Sequence, residues 1–126
     1  MDDKPIVIID DDETILEMLK DVLTTENYKV IIYNEPKKAL NDIINGLNCF
    51  VILTDIAMPE LDGYSLYQKI KQKRDDIEVI FMTGFGYDFK HTIVRAKLEG
   101  LKYCLYKPFE PIKLFKILNK IKEEKK

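Results

Sequence analysis

Ile6-Val7-Ile8-Ile9-Asp10-Asp11-Asp12-Glu13 is the stretch whose reading decides the fold. Successive side chains of a strand point to opposite sides, and in Ile6–Ile9 neither side is polar. The run therefore suits a strand buried on both faces. It stops abruptly at three aspartates. From Thr14 to Leu23, the residues Ile15, Leu16, Leu19, Val22 and Leu23 then recur at helical spacing, which predicts an amphipathic helix.

Outward from this unit the same alternation repeats. Val30, Ile31 and Ile32 read as a second strand. Pro36 opens a second helix carrying Ala39, Leu40, Ile43 and Ile44, and Gly46 is its stop signal. Phe50-Val51-Ile52-Leu53 reads as a third strand ending at Thr54-Asp55, and Asp62-Gly63 leads into a helix through Leu66 and Ile70. Val79-Ile80-Phe81-Met82 is a fourth strand ending at Thr83-Gly84. A helix from about Phe89 to Leu98 follows, closed by Gly100. Tyr103-Cys104-Leu105-Tyr106 is a fifth strand ending at Lys107-Pro108. The last helix begins near Pro111 and carries Leu114, Phe115, Leu118 and Ile121. Five strands alternating with five helices predict an α/β fold, a doubly wound parallel sheet with helices on both faces. Sites in such sheets lie beyond the carboxyl ends of the strands.

The bulk composition is compatible with one domain spanning residues 1–126, ending in a charged helix end or tail at 122–126. A hydrophobic share of 46% excludes a disordered chain. A net charge of -2 gives no electrostatic reason to expect nucleic-acid binding. Cys49 and Cys104 are far apart and are expected to be buried, reduced thiols. His91 is the single histidine, so a zinc site has too few ligands. The apolar runs are too short to span a membrane, and Met1-Asp2-Asp3-Lys4 does not open a secretory signal. The expected location is the cytoplasm.

The polar residues at the strand ends carry the chemistry. Strand 1 delivers Asp10 and Asp11, strand 3 Asp55, strand 4 Thr83 and strand 5 Lys107. In a parallel sheet these ends share one edge. Each motif alone is ordinary: an acidic run is usually a solvated turn, and Asp-Gly is a turn signal. Together they place carboxylates in one small volume, where they repel unless a positive charge offsets them. A hard divalent cation with oxygen ligands does so, and the donor types favour Mg²⁺ over zinc. This arrangement suits phosphoryl transfer, with a carboxylate as nucleophile and an aspartyl phosphate as product. The Thr83 hydroxyl and the Lys107 ammonium are natural partners for phosphoryl oxygens.

Ile9-Asp10-Asp11-Asp12-Glu13, Thr54-Asp55-Ile56-Ala57-Met58-Pro59, Asp62-Gly63, Met82-Thr83-Gly84 and Lys107-Pro108-Phe109 together resemble the motifs of response regulator receiver domains, from about Ile6 to Ile121. The resemblance implies a flavodoxin-like fold with strand order 2-1-3-4-5. It also implies that Asp55 is the phosphoacceptor, that Asp11 and Asp55 ligate Mg²⁺ with their carboxylates and Ala57 with its carbonyl, and that Asp10 reaches the metal through water. Thr83 would bind the phosphoryl group and shift when it arrives. Lys107 would bridge to a phosphoryl oxygen, and Pro108 would follow a cis bond. The implied role is a signalling module rather than an enzyme. A sensor histidine kinase or a histidine phosphotransfer protein would donate the phosphoryl group. The fourth helix, fifth strand and fifth helix would engage a downstream protein or a fused output domain, as a monomer or a phosphorylation-dependent dimer.

The chain departs from the family pattern at three positions. Cys104 stands where an aromatic switch residue is usual, and by strand alternation Tyr103 faces the other way unless a bulge turns it inward. Ala57 and Phe85 occupy the positions that influence acyl-phosphate hydrolysis. Neither side chain can orient a water, so a long-lived phosphorylated state is expected. The last helix carries more apolar residues, Phe115 and Ile117 included, than one buried stripe requires.

Two other folds of this class compete for the same motifs. A phosphatase of haloacid dehalogenase type would use Asp10 as nucleophile and Asp12 as acid/base, but it lacks the acidic pair required after Lys107. A flavodoxin-type flavin module would meet three repelling aspartates in its phosphate loop. Gly84-Phe85-Gly86 lacks the third glycine of a dinucleotide loop.

Overall fold

A computed structural model describes residues 4–84 and 90–125. Ten elements alternate along the chain: β1 (Ile6–Ile9), α1 (Glu13–Thr25), β2 (Val30–Tyr33), α2 (Pro36–Ile44), β3 (Val51–Asp55), α3 (Gly63–Lys73), β4 (Glu78–Thr83), α4 (Lys90–Leu98), β5 (Tyr103–Tyr106) and α5 (Pro111–Glu124). The strands form one five-stranded sheet in the order β2-β1-β3-β4-β5, and every neighbouring pair is parallel. The chain thus has the receiver-type flavodoxin-like architecture that its sequence predicts.

The pleat of the central strands sorts the core into two layers. Val7, Ile9, Ile52, Val79 and Phe81 pack with the inner sides of α2, α3 and α4. Ile6, Ile8, Val51, Leu53, Ile80 and Met82 pack with Leu16, Leu19 and Leu23 of α1 and Leu114, Leu118 and Ile121 of α5. Each fully buried aliphatic side chain contributes on the order of 1.5–3 kcal/mol. Strands without a polar face therefore need helices on both sides.

Local signals fix the helix ends. Asp12 caps α1, its carboxylate accepting from the Thr14 and Ile15 amides, and Asp62 caps α3 by accepting from the Ser65 amide. Pro36 and Pro111 occupy the first turns of α2 and α5, where no amide hydrogen is needed. Gly46, with φ +104°, ends α2 in the left-handed region. Arg74 ties down the far end of α2, donating to the carbonyls of Ile43 (3.1 Å) and Leu47 (2.6 Å) while pairing with Asp76 at 2.8 Å.

Several expectations need correction. Phe50 precedes β3 and is buried rather than being its first residue. Cys49 is buried, but Cys104 is only partly so; both thiols are free. The β4–β5 register runs unbroken from Ile80↔Tyr103 to Thr83↔Tyr106, so no bulge turns Tyr103 inward. Its ring packs with the α1–α5 layer, and its hydroxyl donates to Glu124 at 3.1 Å. Cys104 packs against the opposite layer, as alternation requires. In α5, Phe115 and Ile117 are partly buried against the core. Helix α5 extends to Glu124, so the first three residues of the 122–126 segment are its helix end. Phe85, Gly86 and Phe89 lie outside the described residues. Among the described residues, no helix is long and apolar enough to cross a membrane.

Candidate functional site

The carboxyl ends of β1, β3, β4 and β5 meet on one edge of the sheet. Asp10 follows β1, Asp55 ends β3, Thr83 ends β4 and Lys107 follows β5. Carboxylate oxygens of Asp10, Asp11 and Asp55 all lie within 4.8 Å of one another. Asp10 is 1% exposed and Asp55 8%, whereas Asp11 faces solvent. Two buried carboxylates so close together need a cation. Lys107 supplies one, its Nζ lying 2.8 Å from Asp10 Oδ2 and 3.5 Å from Asp55 Oδ2. The Lys107–Pro108 bond is cis.

The backbone holds these groups from behind. The Asp12 amide donates to Asp10 Oδ1 at 2.9 Å. Lys107 N donates to the Thr83 carbonyl at 2.6 Å, joining β5 to β4 just where the lysine turns toward the site. The Ile56 amide donates to the Met82 carbonyl at 3.1 Å, tying the end of β3 to β4 immediately after Asp55. Gly63 N donates to Ile56 O at 2.8 Å, drawing the start of α3 against the residue after Asp55.

The carboxylates open onto a cleft of about 330 Å³ lined by Asp10, Asp11, Asp12, Asp55, Ala57, Gly84 and Lys107, with Ile15 at its side. A second cleft of about 390 Å³ adjoins Asp11, Ala57 and Met58 and reaches Asp62, Tyr64 and Thr92. Thr83 is buried at the end of β4, with Gly84 beside it on the cleft wall. The structure thus gathers Asp10, Asp11, Asp55, Ala57 and Lys107 around one opening and sets Thr83 behind it. A donor set made only of oxygens fits a hard divalent cation such as Mg²⁺ and offers a soft metal little.

Burial pushes the Asp55 carboxyl above the ordinary value of 3.8. The Asp10 charge adds to this, while Lys107 and the backbone amides of Ile56 and Ala57 oppose it. Raised acid pKa values mean that the folded state binds the proton more tightly than the unfolded chain does. Between the unfolded and folded values ν_N exceeds ν_U, so stability falls as pH rises through that window. Without divalent cation, the Asp55 contribution is therefore unfavourable at neutral pH and relieved as pH drops towards 3.8. The expected result is that Asp55→Asn unfolds at higher denaturant than the parent at pH 7 in a chelating buffer. That margin should shrink on acidification. Equal midpoints at pH 7 would contradict the burial argument.

Two features were not foreseen from the sequence. Asp12, assigned to acid/base work in the phosphatase reading, is a helix cap that also supports Asp10. Its signal was present, since Asp12-Glu13-Thr14 precedes an apolar helical run. The other is a polar clasp between α3 and the end of α4. The Tyr64 hydroxyl bonds the Glu99 carboxylate, and Gln68 donates to both the Tyr64 hydroxyl and Glu99. Tyr67 donates to the Glu99 carbonyl at 3.0 Å. Arg95 lies over the Tyr64 ring at 5.4 Å. The Tyr64 bond holds the Glu99 carboxyl below its usual range, with Gln68 adding to the effect. Tyr64 also lines the second cleft, so the clasp connects its wall to α4.

Comparison with known proteins bears directly on this site. The sequence profile described as the response regulator receiver domain matches residues 6–119. The response regulator SaeR of Staphylococcus aureus is 28% identical over 116 residues, covering 92% of this chain and 49% of SaeR. The chain thus spans about half the length of the curated relatives it matches. Among solved structures, a response regulator receiver domain protein from Clostridium thermocellum superposes with a TM-score of 0.88 at 28% identity, covering 97% of this chain and 96% of that one. A CheY-like receiver domain protein from Methanospirillum hungatei gives 0.87 at 31% identity, with coverage of 97% and 96%.

Proposed function

The chain belongs to the response regulator receiver domain family, and from that premise we propose that it accepts a phosphoryl group on Asp55 in a Mg²⁺-dependent reaction and relays the change to a partner. One observation carries the reading. A buried carboxylate at the end of the central strand opens onto a cleft, with a lysine ammonium 3.5 Å away and two further carboxylates within metal-sharing distance.

The donor is a phosphohistidine on a sensor histidine kinase or a histidine phosphotransfer protein. An O–P bond forms on an Asp55 oxygen as the donor's N–P bond breaks. The electron pair returns to the imidazole nitrogen, which takes a proton from solvent. The carboxylates of Asp11 and Asp55 and the Ala57 carbonyl would hold Mg²⁺, with Asp10 acting through water. The ion supplies charge neutralisation at the phosphoryl oxygens. Lys107 keeps a fixed positive charge beside the accepting oxygen, and that charge and the nearby Ile56 and Ala57 amides favour the ionised carboxylate. Thr83, buried behind the cleft wall, moves towards the new phosphoryl oxygens. This is the shift expected of a two-state switch biased by new charge. The phosphatase reading loses support because Asp12 is engaged as a helix cap. On this reading the chain is a phosphoacceptor acting in the cytoplasm, in one receiver domain over residues 1–126, and not an enzyme in its own right.

Intact-mass analysis after incubation with a small phosphodonor and Mg²⁺ tests the proposal. The expected result is the gain of one phosphoryl group, absent in Asp55→Asn and absent with chelator. Unchanged uptake in Asp55→Asn would end it. The same assay followed over time measures the lifetime of the product. With Ala57 lining the cleft and offering no hydrogen-bonding side chain to a water, decay is expected over minutes to hours, and a half-life of seconds would contradict this.

A further inference from the structure

Helix α1 carries two apolar stripes. Leu16, Leu19 and Leu23 are buried in the layer shared with α5. Ile15, Met18 and Val22 recur at the same spacing, one position earlier, and form a second stripe beside the first. That second stripe is one wall of a cleft of about 520 Å³, and Pro108, Phe109 and Pro111 of the segment after β5 line it too. Neither proline has an amide hydrogen to offer. Among the described residues lining the cleft, Lys107 alone has a polar side chain. A polar ligand finds few partners there, whereas an apolar one of several carbons suits both the lining and the volume. Ile15 and Phe109 are packed on the core, while Met18 stays 54% exposed.

The position of this cleft gives it a use. Ile15, Gly84 and Lys107 line both it and the acidic cleft onto which Asp55 opens. The two spaces therefore adjoin, with the lysine between them. In phosphoryl transfer the leaving group stands roughly in line with the attacking oxygen, on the far side of phosphorus. A donor held at Asp55 thus directs its leaving group outward, past the residues common to both clefts. An apolar tail on that leaving group gains by turning into the neighbouring cleft and leaving water. A leaving group without a tail gains nothing from it.

We propose that this cleft is a leaving-group subsite, and that the small-molecule phosphodonor suited to this chain is an acyl phosphate with an unbranched apolar tail of several carbons. An Asp55 oxygen bonds to phosphorus as the bond from phosphorus to the acyl oxygen breaks. The electron pair leaves with the acyl oxygen as a carboxylate, and no proton moves. The carboxylate departs beside the Lys107 charge, and the tail rests on Ile15, Met18 and Val22. The inference rests on the reading of Asp55 as phosphoacceptor and adds the class of donor.

The probes are acetyl, butyryl and hexanoyl phosphate. Their leaving carboxylates are of similar basicity, so a difference in rate reports the tail. Uptake is followed by intact mass in Mg²⁺, each donor at the same concentration and below saturation. A methylene fully withdrawn from water favours binding about fourfold. With about half of each one buried, the second-order rate constant is expected to rise at least about tenfold from acetyl to hexanoyl phosphate. Met18→Glu should cut that ratio to below about threefold, and Met18→Leu should keep it. Any effect on the shared phosphoryl group cancels in the ratio, and at 54% exposure neither change touches the core. Hexylphosphonate and methylphosphonate, whose C–P bonds do not transfer, are titrated by calorimetry against parent and Met18→Glu, and the parent should prefer the longer one at least about tenfold. Equal rates from all three donors overturn the inference, leave Asp55 as acceptor and assign the cleft to apolar side chains of a protein donor. A ratio that survives Met18→Glu overturns it as well. No uptake from any donor, or uptake unchanged in Asp55→Asn, sinks the Asp55 reading. The phosphonates then decide the subsite by themselves: a preference lost in Met18→Glu supports it, and equal affinities overturn it.

Discussion

Replacing Lys107 by methionine is expected to lower the unfolding free energy by about 3 kcal/mol in a metal-free buffer, and Mg²⁺ is expected to restore much of the loss. Methionine keeps the length and the apolar stem of lysine, so packing is largely preserved and the charge is what is removed. The ammonium lies 2.8 Å from a carboxylate only 1% exposed and 3.5 Å from a second. Taking one partner from a buried pair leaves an uncompensated charge, at about 3–5 kcal/mol. Lys107 itself is 18% exposed, and its cleft admits water, which places the effect at the low end of that range. A cation bound only by the folded state adds stability by mass action. It meets less electrostatic competition once the lysine is gone. Urea unfolding of parent and variant, each with chelator and with Mg²⁺, gives four free energies. The parent should gain less from the metal than Lys107→Met does. A loss below about 1 kcal/mol in chelator, the range of an exposed ion pair, would show that the pair is not effectively buried.

How much of this was legible beforehand depends on whether a feature is local. β1 and β5 matched their read boundaries because each is an apolar run broken by a charged residue, Asp10 or Lys107. The convergence of Asp10, Asp11, Asp55 and Lys107 followed from topology, since parallel strands bring their carboxyl ends to one edge. Even the opposite facing of Tyr103 and Cys104 came from alternation alone. Contacts between distant segments were another matter. Nothing in Tyr64 or Gln68 announces Glu99, some 30 residues on. Arg74 read as one charge among several, yet it closes the carbonyls of α2. Phe50 looked like strand because a buried aromatic before a strand has the same character as one within it. Asp62-Gly63 read as a turn signal, and the sequence could not say why glycine in particular stands there.

The structure answers that last point and yields a second large effect. Gly63→Ala is expected to destabilise the fold by about 2–4 kcal/mol and to reduce phosphoryl uptake at Asp55 more than tenfold. A Cβ at Gly63 would collide with the carbonyl oxygen of Asp55 and stand 2.9 Å from Ile56 Cα and 3.2 Å from the Asp55 carbonyl carbon. All three are backbone atoms of the strand end, so no side chain can swing aside. Either α3 retreats, breaking the 2.8 Å bond from Gly63 N to Ile56 O, or the Asp55–Ile56 peptide turns. The second course moves the Asp55 carboxylate and Ala57, the groups proposed to hold phosphorus and metal. Gly46→Ala separates close approach from backbone conformation. That residue has φ +104° but nothing within 4 Å of a built Cβ, so its expected cost is the left-handed strain of about 1–2 kcal/mol, with uptake unchanged. Urea unfolding and intact-mass assay of both variants decide the matter. Full uptake in Gly63→Ala would mean that the approach of α3 to β3 does not position Asp55.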